Sequence, residues 1–155
     1  MQLSRFADYA LRTLMYLACN PQDTVAVGDI SQAYGISFHH LSKVTQALAK
    51  AGWVEVHRGR SGGLRLVVAP EELKISDVIH RMEPSLDLVE CFSAERNQCR
   101  IVPVCRLRGA LERAREAFFA ELARTTLADL VEPRLELVQL FHPSSPSLGS
   151  QGESP

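Results

Sequence analysis

Residues 27–68 read VGDISQAYGISFHHLSKVTQALAKAGWVEVHRGRSGGLRLVV, and this stretch decides the fold. Val27 to Tyr34 has the length of a short helix, and Gly35 after it suits a left-handed C-cap. Ser37 supplies an N-cap oxygen for a second helix, Phe38 to Lys50. Leu41, Val44, Ala47 and Leu48 form one apolar stripe along that helix. Two short helices joined by Gly-Ile-Ser make a helix-turn-helix pattern, with the second as recognition helix. Gly52 closes it, and Trp53 to His57 alternates as a strand. The glycine-rich run Arg58-Gly59-Arg60-Ser61-Gly62-Gly63 turns the chain, and Leu64 to Val68 completes a β-hairpin. A hairpin with arginines at its tip, directly after a helix-turn-helix, is a winged helix. No Gly-Lys-Ser or Gly-Lys-Thr triplet follows the glycines and no helix opens there, which excludes a phosphate loop.

Upstream, Ser4 to Cys19 carries Phe6, Ala7, Ala10, Leu11, Leu14, Leu17 and Ala18 at the spacing of one buried helix face. Ser4 is its N-cap, and Asn20-Pro21 ends it. Asp8 lies one turn before Arg12, which an intrahelical ion pair would explain. Downstream, Ile75 to Met82 is one more short helix, stopped by Pro84. Pro103 is placed as the first residue of a long helix running to Thr125. Leu107, Leu111, Ala114, Phe118 and Leu122 form its stripe, widened by Ala110, Ala117 and Phe119. A helix this long, after a domain with its own core, is expected to pack on a partner chain; the alternative is a core helix. Leu127 to Leu140 adds a helical tail broken near Pro133. The fold expected is mainly α with a small β-hairpin, a winged helix-turn-helix plus a long dimerisation helix. The organisation expected is a DNA-binding domain over 1–83, a cysteine loop over 84–106, dimerisation and C-terminal helices over 103–141, and a disordered Pro/Ser/Gly-rich tail over 142–155.

At 155 residues and 46% apolar the chain can bury one core. No apolar run approaches the roughly 18 residues of a membrane span, and the N-terminus lacks a signal-peptide pattern. A cytoplasmic protein is expected. A net charge of −1 argues against nucleic acid, but the distribution of that charge points the other way. Between Ile30 and Pro70 the only acid is Glu55, against Lys43, Lys50, Arg58, Arg60 and Arg65, a local net of +4. Such a basic face is the electrostatic footprint of a DNA-binding surface. On the recognition helix Ser37, His39, His40, Lys43 and Gln46 are the candidates for groove contacts. Lys43 would meet phosphate or guanine, and Gln46 would pair with adenine. Arg58, Arg60 and Arg65 flank the wing, with Arg60 at its tip aimed at a minor groove.

Cys91, Cys99 and Cys105 fall within fifteen residues, spaced Cys-x7-Cys-x5-Cys, in a segment without helical or strand period. Thiolates ligate iron–sulfur clusters and zinc, and zinc sites use closer-paired ligands than these. In a reducing cytosol such a cluster leans towards metal or catalysis; three free cysteines are the plain alternative. An enzyme is not expected, because no Cys-x-x-Cys pair exists and no His or acid patterns with the cysteines as a triad. With Pro103 opening the helix, Cys105 would sit in its first turn, where the helix dipole favours thiolate. Cys19, far along the chain, reads as a small buried hydrophobe.

The helix–helix–wing order, Gly52-Trp53-Val54 with Arg58-Gly59-Arg60-Ser61-Gly62-Gly63, and three cysteines before a long helix resemble the bacterial winged-helix iron–sulfur regulators. The resemblance runs from Met1 to about Glu132. Within the family the chain is similar to the nitric-oxide-sensing branch in MQLSRFADYALRTLMYLA, in Cys105-Arg106-Leu107 and in TLADLVE at Thr126 to Glu132. It implies a homodimeric repressor of operator DNA holding one iron–sulfur cluster per subunit, 2Fe–2S or 4Fe–4S, with Cys91, Cys99 and Cys105 as ligands. In another branch of the family a histidine three residues after the last cysteine is the fourth ligand; here Arg108 stands there and cannot coordinate. In the nitric-oxide-sensing branch an aspartate of the first helix, from the other subunit, can serve, and the matching residue is Asp8. Arg12 would then orient that carboxylate from behind. The resemblance implies release of DNA when nitric oxide breaks the cluster. The rivals are a cluster regulator sensing oxygen, redox state or iron, and a cluster-free winged-helix regulator with redox or zinc-bound cysteines.

Overall fold

The first helix, α1 (Arg5–Cys19), is the element around which the others assemble. Ser4 is extended, and its Oγ accepts the N–H of Ala7 at 3.2 Å, giving the first turn one of its missing partners. Ala7, Ala10, Leu14 and Leu17 point inward from one face and are essentially solvent-free. The small alanines let neighbouring elements approach closely. At the far end Asn20 donates from Nδ2 to the Tyr16 carbonyl at 2.8 Å, and Pro21 stops the helix. The computed structural model describes residues 2–59 and 62–141.

Around α1 pack α2 (Val27–Tyr34) and α3 (Phe38–Lys50) of the helix-turn-helix. The turn depends on Gly35, whose φ of 63° is the left-handed conformation that a Cβ disfavours. Strands β1 (Val54–His57) and β2 (Gly63–Leu66) pair antiparallel, with Val54 opposite Leu66 and His57 opposite Gly63. The wing is tied to the head by reciprocal Val25–Leu64 backbone bonds of 2.9 and 2.8 Å. A Cβ at Gly63 would collide with the Val25 carbonyl, so this close approach needs glycine. The mainly helical winged-helix architecture expected from the sequence is the one observed.

Helix α4 (Ile75–Met82) follows, and its successor Glu83 accepts the Ser4 N–H at 2.7 Å, closing the start of α1. Three boundaries differ from expectation. Pro103 lies in a short 3-10 turn, Val102–Val104, so the long helix α5 starts later and spans Arg106–Leu122. Cys105 is therefore its N-cap rather than a first-turn residue. Residues 123–125 leave the helix because Thr126 opens α6 (Leu127–Leu130) with a capping box, its side chain and that of Asp129 each satisfying the other's backbone N–H. The hairpin strands are also shorter, since Trp53 and Val67 pair outside the ladder through one 3.0 Å bond. The break at Pro133 is as expected, and α7 (Arg134–Phe141) follows it. That last helix returns to the head: Phe141 is buried with its ring centroid 4.8 Å from Tyr16 and 5.3 Å from Tyr34. Arg134 adds a bond from Nε to the Cys19 carbonyl at 3.0 Å, capping α1 from outside. The tail expected to be disordered, 142–155, lies outside the described residues.

Candidate nucleic-acid interface and cysteine loop

The Ser37 Oγ accepts the His40 N–H at 3.4 Å and lies 2.9 Å from His40 Nδ1, so α3 is capped by its own side chains. Leu41, Val44 and Leu48 face the core, which turns His39, His40, Lys43 and Gln46 outward. The sequence candidates thus share one exposed helix face. Among the described residues Lys43 forms no ion pair, and neither do Lys50, Arg58 or Arg65. Arg58 and Arg65 are exposed on the wing, but the β-register sets Arg65 opposite Glu55. The same carboxylate lies 3.4 Å from His57 Nε2. The one acid of the basic stretch therefore sits against the wing strand and leaves the recognition helix unneutralised. Arg60 lies outside the described residues.

Two contributions from α1 are absent from the sequence candidates. Tyr9 places its ring 6.1 Å from that of His40. Arg5, Phe6 and Tyr9 join His40, Lys43 and Val44 around a cavity of about 210 Å³ between the two helices. Positions 31 residues apart (Tyr9 and His40) carry no local signal of meeting; only the α1–α3 packing brings them together.

In the segment ahead of α5, Cys91 lies in a 3-10 turn, Glu90–Phe92. The Cys99 N–H donates to Asn97 Oδ1 at 3.0 Å. The Cys105 Sγ accepts the Arg108 N–H at 3.4 Å at the start of α5, so the helix end directs an N–H at this sulfur. All three thiols are free and half-buried. The loop is clasped by Arg96, which donates to Asp87 Oδ2 at 2.7 Å and to Ser85 Oγ at 3.3 Å. Phe92, next to Cys91, lies 4.8 Å beneath the Arg115 guanidinium of α5. Among the described residues, no three His, Cys, Asp or Glu side chains converge to hold a metal ion within one chain. The donors suit an iron–sulfur group by chemistry, three free thiols on one loop, without being gathered into a single ligand set.

Asp8 and Arg12 form the pair expected, Nε to Oδ1 at 3.0 Å, and both side chains remain about two-fifths exposed at 40% and 43%. The hydrogen bond to Asp8 raises the Arg12 guanidinium above its ordinary value. The Arg12 guanidinium also lies over the Tyr34 ring at 5.7 Å, so it is held on two sides. Arg108 has a buried Nε without a hydrogen-bond partner among the described residues. Cys19 is buried as expected, and burial pushes its thiol up. No residue of α5 is buried, and Val104 and Leu107 at its start are 81% and 66% exposed. Among the described residues no helix is long and apolar enough to cross a membrane.

Residues 3–133 match the family described as Rrf2, iron-dependent transcriptional regulator. The chain belongs to the Rrf2 family. It is 48% identical over 142 residues to the HTH-type transcriptional regulator NsrR of Geobacillus kaustophilus, covering 91% of this chain and 97% of that one. It is 40% identical over 142 residues to the NsrR of Bacillus subtilis, with the same coverage. The solved structure of CymR, titled the global cysteine regulator of B. subtilis, aligns with a TM-score of 0.69 at 27% identity, over 86% of this chain and 98% of CymR. T. potens IscR has the same fold, with a TM-score of 0.69 at 24% identity over 86% of this chain and 88% of that one. This Rrf2 protein is a DNA-binding transcriptional regulator with the winged helix of its family.

Proposed function

We propose that the protein is a homodimeric repressor whose grip on operator DNA responds to nitric oxide through one iron–sulfur cluster per subunit. Cys91, Cys99 and Cys105 would hold the cluster, with Asp8 of the partner subunit as fourth ligand. The observation that carries this is the placement of three free, half-buried thiols on one loop, at the foot of a helix that buries no residue in its own chain. The family description, iron-dependent, and the NsrR name of the relatives support the same reading.

When bound, the cluster supplies iron that reacts with nitric oxide. The chain's own residues do the rest. Residues 1–83 read DNA, 84–106 form the ligand loop, and 103–141 contribute the dimer contact, with α7 folded back onto the head. Asp8 offers an oxygen donor, harder than thiolate and so the weakest corner of the set. Arg12 holds that carboxylate from one side at 3.0 Å while two-fifths of it stays accessible. The apolar side chains Val104 and Leu107 give a partner helix something to cover beside Cys105. A switch from a mostly occupied to a mostly empty operator needs roughly 3–5 kcal/mol of bias between two subunit arrangements.

Anaerobic isolation tests the cofactor, with iron and sulfide expected in stoichiometric amounts together with visible absorption. Material that stays iron-free after reconstitution overturns the cluster. Titration of holoprotein with nitric oxide on a promoter fragment tests the signal, and unchanged DNA affinity after nitrosylation overturns it. A second reading, a cluster-free regulator with redox thiols, draws on the ungathered cysteines and on a 26%-identical relative solved as Staphylococcus aureus CymR in oxidized form. Reversible thiol oxidation that changes DNA affinity in iron-free protein would favour it.

A further inference from the structure

We propose that Phe38 determines part of the operator sequence by packing its ring on a thymine C5-methyl group in the major groove. The inference rests on the DNA-binding role of the helix-turn-helix and adds an apolar reader to a face otherwise read as polar. Phe38 is the first residue of α3, directly after the Ser37 cap, and is 60% exposed. It is the one aromatic among the strongly exposed large apolar side chains of the described residues. The others lie on the wing, around the Cys105 end of α5, or on α7.

The position determines the chemistry. Cα–Cβ bonds tilt towards a helix N-terminus, so a side chain at the first position projects off the end that enters the groove. Ser37, beside it, spends its hydroxyl on the His40 N–H and ring nitrogen, at 3.4 and 2.9 Å, and is less available to bases. The same N-terminal half of α3 also exposes His39, His40 and Lys43, polar and basic groups that suit a nucleic-acid surface rather than an apolar protein contact. The only base feature in the major groove that an aromatic ring complements by burial is the thymine methyl.

The test uses the full-length protein and the duplex it selects from a random pool, with each thymine replaced in turn by deoxyuridine, which lacks only the methyl. Covering one methyl is worth about fourfold in affinity, or about 0.8 kcal/mol. The wild type is expected to lose about fourfold at one thymine per half-site. F38A should bind more weakly and be indifferent to that replacement, and F38L should keep part of the sensitivity. An unchanged melting temperature for F38A shows that folding is intact. A wild type indifferent to every replacement, or an F38A protein as sensitive as the wild type, overturns the proposal. Failure of the wild type to select any duplex would instead strike at the DNA-reading role of α3.

Discussion

Replacing Lys43 with glutamine isolates the electrostatic share of operator binding. Lys43 is exposed at the centre of the recognition face and forms no ion pair with any described residue, so its charge is free for phosphate. Each phosphate neutralised contributes about 0.9 to the slope of log affinity against log salt, so two copies in a dimer contribute about 1.8. With about five of ten basic residues contacting, the wild-type slope is about −4.5 and the variant's about −2.7. Between about 0.05 and 0.2 M salt the wild type then weakens about 500-fold and the variant only about 40-fold. Fluorescence anisotropy with a labelled operator across that range reads both slopes. A contact with guanine instead of phosphate would appear as a loss confined to one base pair of the site. If K43Q has the wild-type slope and the wild-type sequence preference, Lys43 does not touch DNA, and the orientation given to α3 is wrong.

Three further outcomes follow from the packing. Asp8→Ala should leave the iron-free protein folded while shortening cluster lifetime, and an unchanged spectrum and lifetime would refute the ligand role. Phe141→Ala should destabilise by about 3–5 kcal/mol, because the ring is 8% exposed between Tyr16 and Tyr34. At about 2–4 °C per kcal/mol the melting temperature should fall by roughly 6–20 °C, and a shift under about 3 °C would show that α7 does not anchor the head. Burial raises the Tyr34 phenol from 10.0 to about 12. The folded state therefore keeps its proton where the unfolded chain loses it, so stability is intact below pH 10 and declines as pH rises towards 12. Tyr34→Phe should flatten part of that decline in thermal melts, and identical slopes in both proteins would contradict the burial argument.

Local pattern carried far in this chain. Ser4, Gly35 and Ser37 mark helix ends through bonds to the backbone within a few residues, and each stands at its cap. The wing follows from Gly59 to Gly63 between two alternating runs, although its ladder closes over only four residues a side. Pro103 misled, because proline at a first helical position and proline in a 3-10 turn look alike in sequence; the observed start, with the Cys105 sulfur on the Arg108 N–H, decided between them. The grouping of His39, His40, Lys43 and Gln46 was legible because 3.6 residues per turn puts them on the face opposite Leu41 and Leu48.

By itself the sequence determined the order of elements, the basic character of the recognition helix and wing, and the presence of three thiols before a long helix. All of these depend on spacing along a few turns. Only the tertiary structure decided that Tyr9 meets His40, that Glu55 stands opposite Arg65 on the wing, and that Phe141 and Arg134 come back to α1. Those pairings join residues far apart in the chain, where contact is set by how packed helices fill space rather than by any local preference.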